Sequence, residues 1–529
     1  MTASVQKFQF PADASLREKL AQLMFVRIGS NLPPVKTVEE DEQRVAELLR
    51  DCPLGGLILF NGSYGATPAT LARLQQQSRY PLLVSSDLER GAGQQLRGYP
   101  LFPHAMAFEA LGNGAREAVY RFAELTGQTS RAAGVHITFG PVADVNSDPR
   151  NPIISTRAFS ANSERAAELA AEFVRGCTAA GLLSTAKHFP GHGNTHEDSH
   201  HALPTVHSTR EEMTVRELPP FRSTIKAGVP LIMTAHVRYP AIDAAGEAAT
   251  LSQPILTGLL RNELGFEGAI VTDSLLMEGV KVGCANEGEL ALKALNAGVD
   301  ILLDVADPVG TLAELERAVA DGRLSEARVD EALARVLKLK STVMNGPALA
   351  PFDEVGNRRQ TEEMALDVAR RATVTPKQTA GLLPFTPERS LCAILVNPFP
   401  LPSNAEAPPL GKMLAERFPR LDYFEIGAEP SDAELAKIGE LAASADQLLA
   451  AFVVKPAAWH RFGLPPRLRD WLQGLAAGRS TVAACLGAPQ GLEPLADAAV
   501  QICTFSDVPV SQAALVERLL ATGDPAAAR

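Results

Sequence analysis

Apolar runs of strand length recur along the first part of the chain, at 23–28, 55–60, 81–87, 135–145, 182–188, 230–236, 268–273 and 299–304. Between them the apolar residues fall at helical spacing, at 38–52, 68–78, 115–133, 163–180, 212–227, 254–264, 287–297 and 311–321. A further helix at 15–22 takes Ser15 as its cap and precedes the first run. Eight strand–helix units in about 300 residues predict a (β/α)8 barrel of the TIM type. An open doubly wound sheet is the competing arrangement. The barrel is favoured because several runs end on polar residues: Asp87, Lys187-His188, His236, Asp273 and Asp304. Barrel enzymes draw their reactive groups from the C-terminal ends of several strands in this way. No glycine-rich dinucleotide fingerprint follows the first strand, and no P-loop occurs.

A long amphipathic helix at 325–344 closes this pattern, with Val329, Ala332, Leu333, Val336, Leu337 and Leu339 on one broad face. The segment 346–380 is rich in Pro, Gly and charge and reads as a linker carrying a helix at 362–372. Alternation then resumes. Strands are expected at 390–396, 421–426, 447–454, 480–486 and 499–505, with helices at 410–417, 432–444, 466–476 and 511–521. The expected domains are therefore a catalytic barrel over 1–345 and a smaller α/β/α sandwich over 381–529, joined by the linker.

Composition narrows the function. Of 529 residues, 50 are basic and 61 acidic, a net charge of −11 that speaks against a general nucleic-acid partner. No apolar run reaches the length of a membrane span, so no membrane partner is expected. The six cysteines are scattered, without a CxxC pair, which suits buried thiols in a reducing compartment and makes the cytoplasm the expected location. With aromatics at 5%, an extended aromatic sugar platform is disfavoured, whereas one small sugar pocket needs few.

Of the ten histidines, six crowd between His188 and His207, in a loop that leaves the fifth strand. His188, His192, His196 and His200 are spaced by four, but Pro190, Gly191 and Gly193 prevent the helix that would turn this spacing into one face. A metal site built from them is one reading, and proton transfer is another. Asp198 and His200 lie two apart, where a carboxylate can fix an imidazole's tautomer and raise its pKa. By spacing alone the favoured reading is that Asp198 caps a turn and His200 is solvated. Asp273, at the end of an apolar strand, can serve as nucleophile or base, or as the N-cap of the next segment. Asp87, Arg157, Lys187 and His188 also sit at or just beyond strand ends. Acid, Lys, His and Arg around one mouth describe a grip on a polyhydroxylated ligand. No serine nucleophile elbow is present.

These stretches resemble a known family. Lys187-His188-Phe189-Pro190-Gly191-His192-Gly193, followed by Asp198-Ser199-His200, is similar to the signature of the β-N-acetylhexosaminidases of glycoside hydrolase family 3. Supporting blocks occur in the same order: Asp87-Leu88-Glu89, Gly140-Pro141-Val142-Ala143-Asp144-Val145, 151–159, and Val271-Thr272-Asp273-Ser274-Leu275-Leu276-Met277-Glu278-Gly279. The resemblance covers roughly residues 15–345, and the C-terminal region more loosely. It implies a retaining exo-hydrolase acting on terminal β-linked N-acetylhexosamine, in muropeptide or chitin-type oligosaccharides. By this resemblance Asp273 is the nucleophile and His200, paired with Asp198, the acid/base. Asp87, Arg157, Lys187 and His188 hold sugar hydroxyls, and neither metal nor other cofactor is needed. β-Glucosidase and glycoside phosphorylase activities of the same family are the alternatives, and a metal-dependent hydrolase is the alternative outside it.

One block departs from the family pattern. Members follow the first Asp with Glu-Gly-Gly and carry an Arg eight residues beyond it. Here Glu89 is followed by Arg90-Gly91, position 95 is Gln95, and the nearest arginine is Arg97.

Overall fold

The computed structural model describes residues 8–195, 203–346, 351–399, 409–456 and 462–521. They form two compact units. The first comprises Met1–Pro100, Arg116–Asp148 and Ser160–Thr361. The second comprises Leu101–Ala115, Pro149–Phe159 and Glu362–Arg529.

The first unit is the expected barrel. Its strands are β1 (Met24–Ile28), β2 (Gly56–Leu59), β3 (Leu83–Ser86), β4 (Ile137–Thr138), β5 (Leu183–Phe189), β6 (Leu231–Thr234), β7 (Ala269–Val271) and β8 (Leu302–Leu303). They pair in parallel in the order β8-β1-β2-β3-β4-β5-β6-β7. A parallel bridge between Val271 and Ile301 joins the two ends of that order. The strands are short and almost wholly buried, because helices cover them outside and side chains fill the interior.

Local sequence sets the helices between them. Ser15 and Glu18 form a reciprocal capping box on Leu16–Ala21, and Thr37 with Glu40 does the same for Val38–Asp51. Asn286 caps Glu287–Ala297, the helix between β7 and β8. The helical pattern over 212–227 resolves into two helices, Arg210–Val215 and Leu218–Lys226. Pro219 and Pro220 explain the break. They suit the first turn of a new helix and disrupt the interior of a continuous one.

At the base of the barrel, Asp300 is fully buried beside three guanidinium groups: Arg261 at 2.7 Å, Arg328 at 2.7 Å and Arg335 at 3.0 Å. This carboxylate precedes β8 and ties helix Glu326–Met344 to the sheet, leaving the opposite ends of the strands for chemistry.

The second unit holds a sheet of β9 (Val374–Gln378), β10 (Leu391–Val396), β11 (Leu421–Ile426), β12 (Gln447–Val454), β13 (Val482–Gly487) and β14 (Val500–Cys503). The order is β9-β14-β13-β12-β10-β11. All pairs are parallel except β9 with β14. Successive residues of β10 enter two separate apolar cores, Cys392, Ile394 and Val396 on one face and Leu391, Ala393 and Leu395 on the other. A sheet buried on both faces is the expected sandwich. The strand β9 lies in the stretch read from sequence as linker. It is largely exposed and contains Pro376, and its ladder shifts register between Val374 and Lys377, so it carries no hydrophobic signal.

All six cysteines are unpaired thiols, five of them buried. Among the described residues no helix is long and apolar enough to cross a membrane.

Candidate active site

The C-terminal ends of β3, β5, β6, β7 and β8 carry the polar residues that the sequence placed at strand ends. Lys187 lies within β5 and is 2% exposed. Its ammonium reaches Asp87 Oδ1 and Glu89 Oε1, each at 2.7 Å, so one buried cation is shared by two carboxylates from the end of β3. Pairing of this kind is what allows a lysine to stay charged away from water.

His188, the next residue, is also buried, although neighbours on a regular strand face opposite ways. The ladder between β5 and β6 shifts register between Ala186 and Phe189, which frees both side chains to find polar partners. The partner of His188 is Asp144, which is fully buried. Asp144 Oδ2 lies 2.7 Å from His188 Nδ1, and the carboxylate also accepts the backbone N–H of His188 at 3.2 Å and of His192 at 2.7 Å. Burial alone would raise the Asp144 pKa, but His188, His192 and their N–H donors outweigh it and hold the group below the usual carboxylate range. A carboxylate accepts, so Nδ1 is the nitrogen of His188 that carries hydrogen, and the ring is fixed in orientation.

The turn after β5 is held from both sides. Gly191 takes φ +131°, and a Cβ there would meet Glu217 Cβ at 2.7 Å. Its carbonyl accepts from the buried Tyr239 hydroxyl at 2.8 Å. Gly193 packs so closely on the preceding loop that a Cβ would stand 1.6 Å from the Val145 carbonyl oxygen. His192 is buried with Nδ1 3.0 Å from Thr195 Oγ1. Burial, reinforced by His188, lowers its pKa to about 4. The unfolded chain takes up this proton near pH 6.5 and the folded ring only near pH 4, so acid favours the unfolded chain across that window. His192→Asn is therefore expected to lose less thermal stability than wild type between those two pH values, measured as melting temperature against pH.

Asp273 lies two residues beyond the end of β7. It is half-buried as a residue, and protein surrounds its carboxylate. Burial would raise its pKa, but His188, His236, the Ser274 N–H and Lys187 together pull it down to about 2. The Ser274 N–H donates to Asp273 Oδ1 at 2.7 Å. Asp273 is thus an anion at neutral pH, in the field of the groups that gather around Lys187 and His188.

The remaining predicted residues are placed differently. Arg157 lies in the short turn Ser155–Arg157, which groups with the second unit, and its Nη1 donates to the Ile153 carbonyl at 2.9 Å. Asp198 and His200 lie outside the described residues, as do His196 and His201. Among the described residues no three His, Cys, Asp or Glu side chains gather as ligands for a metal ion. Gln95, where family members carry arginine, is buried, and its Oε1 accepts from Asn31 Nδ2 at 3.0 Å and from the Asn61 N–H at 3.2 Å. Arg97 is exposed in a two-residue strand that pairs with Gly62–Ser63. Neither Asp144 nor Glu89 was singled out from sequence. Both sit inside blocks that carry the family resemblance, yet their partners lie 44 and 98 positions away, so spacing gave no signal.

Residues 15–339 match the glycosyl hydrolase family 3 N-terminal domain. The chain belongs to glycosyl hydrolase family 3. A beta-hexosaminidase A of Pseudoalteromonas piscicida is 34% identical over 64% of this chain and 62% of its own length. A beta-N-acetylglucosaminidase/beta-glucosidase of Cellulomonas fimi is 31% identical over 67% of this chain and 64% of its own. The chain thus spans less than two thirds of either relative. The structure of a family 3 beta-N-acetylglucosaminidase from Paenibacillus sp. str. FPU-7 superposes with a TM-score of 0.84, at 30% identity and with 96% of both chains covered.

Proposed function

We propose that this chain is a retaining exo-β-N-acetylhexosaminidase that removes terminal β-linked N-acetylglucosamine from muropeptide or chitin-type oligosaccharides. The observation that carries the reading is Asp273, a strand-end carboxylate held ionised by His188, His236 and Lys187. An ionised, positioned carboxylate is what the first half of a retaining mechanism requires. Asp273 attacks the anomeric carbon, and the bond to the leaving oxygen breaks with its electron pair. His200, oriented by Asp198, gives that oxygen a proton. Water, deprotonated by the same imidazole, then displaces Asp273 and releases the sugar with its β configuration retained. Asp87, Lys187, His188 and Arg157 hold the sugar hydroxyls while charge develops on the ring. The unpaired thiols agree with a reducing compartment, and we place the enzyme in the cytoplasm.

His200→Ala tests the proton donor. Hydrolysis of an aryl glycoside with a poor leaving group is expected to fall by about 10²–10⁴-fold, the range for lost general acid catalysis. Cleavage of one whose leaving group needs no proton should be largely spared. Equal loss on both would remove His200 from this role. The dual name of the Cellulomonas fimi relative favours a second reading, activity on β-glucosides. Glycosides differing only at the 2-position separate the two, and adding inorganic phosphate as acceptor to the same assay detects phosphorolysis.

A further inference from the structure

Ser274 uses all of its polar groups. Its N–H donates to Asp273 Oδ1 at 2.7 Å, and its hydroxyl donates to Asp304 Oδ2 at 2.6 Å. Its carbonyl lies 3.1 Å from His236 Nε2. A carbonyl has no proton to give, so Nε2 is the donor. The other ring nitrogen of His236 is 2.7 Å from the Thr250 hydroxyl, which fixes the ring.

Asp304 is itself tightly held. It is 1% exposed, and Arg27 grips it through Nε to Oδ1 at 3.0 Å and through Nη2 to Oδ2. Its backbone sits at φ +65°, a left-handed conformation that Asp tolerates and that surrounding contacts must enforce. The result is a continuous line, Arg27 to Asp304 to Ser274 to Asp273, braced at Ser274 by His236. It ends on one oxygen only. Oδ1 of Asp273 is engaged, and among the described residues no hydrogen bond reaches Oδ2.

We infer that Asp304 and His236 are positioning residues that act through Ser274 to lock the Asp273 carboxylate, so that Oδ2 is the oxygen presented to the substrate. This rests on the reading of Asp273 as nucleophile. A carboxylate turning about its last bond exchanges its oxygens and tilts the attacking lone pair. The lock removes that freedom before substrate arrives, and small misplacements of reacting groups cost rate steeply. Binding of the sugar does not need the lock, so its loss should appear in the rate of covalent bond formation and not in affinity.

The test uses a fluorinated N-acetylglucosaminyl fluoride, which forms the glycosyl-enzyme and hydrolyses it slowly. In the wild type, mass spectrometry of peptides should find the label on Asp273. In Ser274→Ala the same residue should be labelled about tenfold to a hundredfold more slowly, with the inhibition constant of the probe unchanged. Asp304→Asn should slow labelling in the same way. Ser274→Thr, which keeps the hydroxyl, should label at close to the wild-type rate. Wild-type labelling rates in Ser274→Ala, a defect confined to the inhibition constant, or a Ser274→Thr as slow as Ser274→Ala would overturn the inference. Label on another carboxylate of the wild type would instead overturn the nucleophile reading, and the inference with it.

Discussion

Asp273→Ala is expected to lower turnover of an aryl N-acetylglucosaminide by on the order of 10⁴-fold or more, as loss of a covalent nucleophile does elsewhere. The fold should survive, because the described hydrogen bond of this carboxylate is one local contact with the Ser274 N–H. Removing an anion from beside His188, His236 and Lys187 also relieves no clash and opens only a small space. Circular dichroism and melting temperature should therefore stay near wild type while activity disappears. A small anion such as azide, supplied to the cavity left by the side chain, should restore cleavage by attacking from the face that Asp273 occupied and, in a single displacement, give the α-glycosyl azide of inverted configuration. Turnover near wild type without added anion would end the nucleophile assignment. The pH profile gives a second check. With Asp273 at about 2, the acid limb of kcat/KM should not report its protonation. Between pH 6.5 and 4 loss of activity should instead follow loss of the fold, because the unfolded chain takes up the His192 proton there and the folded ring does not.

The largest effect on stability is expected at Asp144. Three donors converge on this fully buried carboxylate, from the ring and backbone of His188 and the backbone of His192. Asp144→Ala leaves all three without an acceptor. Each buried donor left unsatisfied costs about 1–3 kcal/mol. Asp144→Asn keeps an acceptor and should cost less. Denaturant midpoints at neutral pH measure both. The difference between wild type and Asp144→Ala should narrow as the medium is acidified. The Asp144 pKa is lowered in the folded state, so its contribution is complete above the unfolded-state pKa and fades as pH falls through the folded one. Activity should fall as well, since the ring that the carboxylate orients lies next to Lys187 and acts electrostatically on Asp273. A variant as stable as wild type would show that the three bonds to Asp144 contribute little.

The barrel could be read from sequence because each strand is a short apolar run bounded by turn residues, and because the run ends were polar. Those two features place Asp87, Lys187, His188 and Asp273 at strand ends without reference to any partner. Asp144 escaped for a physical reason. It sits in Gly140-Pro141-Val142-Ala143-Asp144-Val145, a stretch with no periodicity of its own, and its role exists only once β5 brings His188 alongside. Glu89 escaped in the same way, being one of two acids within three residues, with nothing local to say that both face one lysine. β9 was missed because an exposed edge strand with a proline needs no apolar face. The break at Pro219-Pro220 was visible in the sequence and was overridden by the helical spacing on either side of it. In the described part of the loop, His188 and His192 meet edge to face at 5.9 Å, and a turn, not a helix, brings them there.

Gly193 lies against the Val145 carbonyl, and the same two loops are stitched by the Asp148 N–H to the Gly193 carbonyl at 3.3 Å and the Ala143 N–H to the Lys187 carbonyl at 2.7 Å. Their lengths are therefore not independent. An insertion or deletion in either would pull the other out of step, and with it the carboxylate–imidazole pair that bridges them. Anyone reshaping the mouth for a bulkier sugar would have to exchange the loops after β4 and β5 together, as a single cassette.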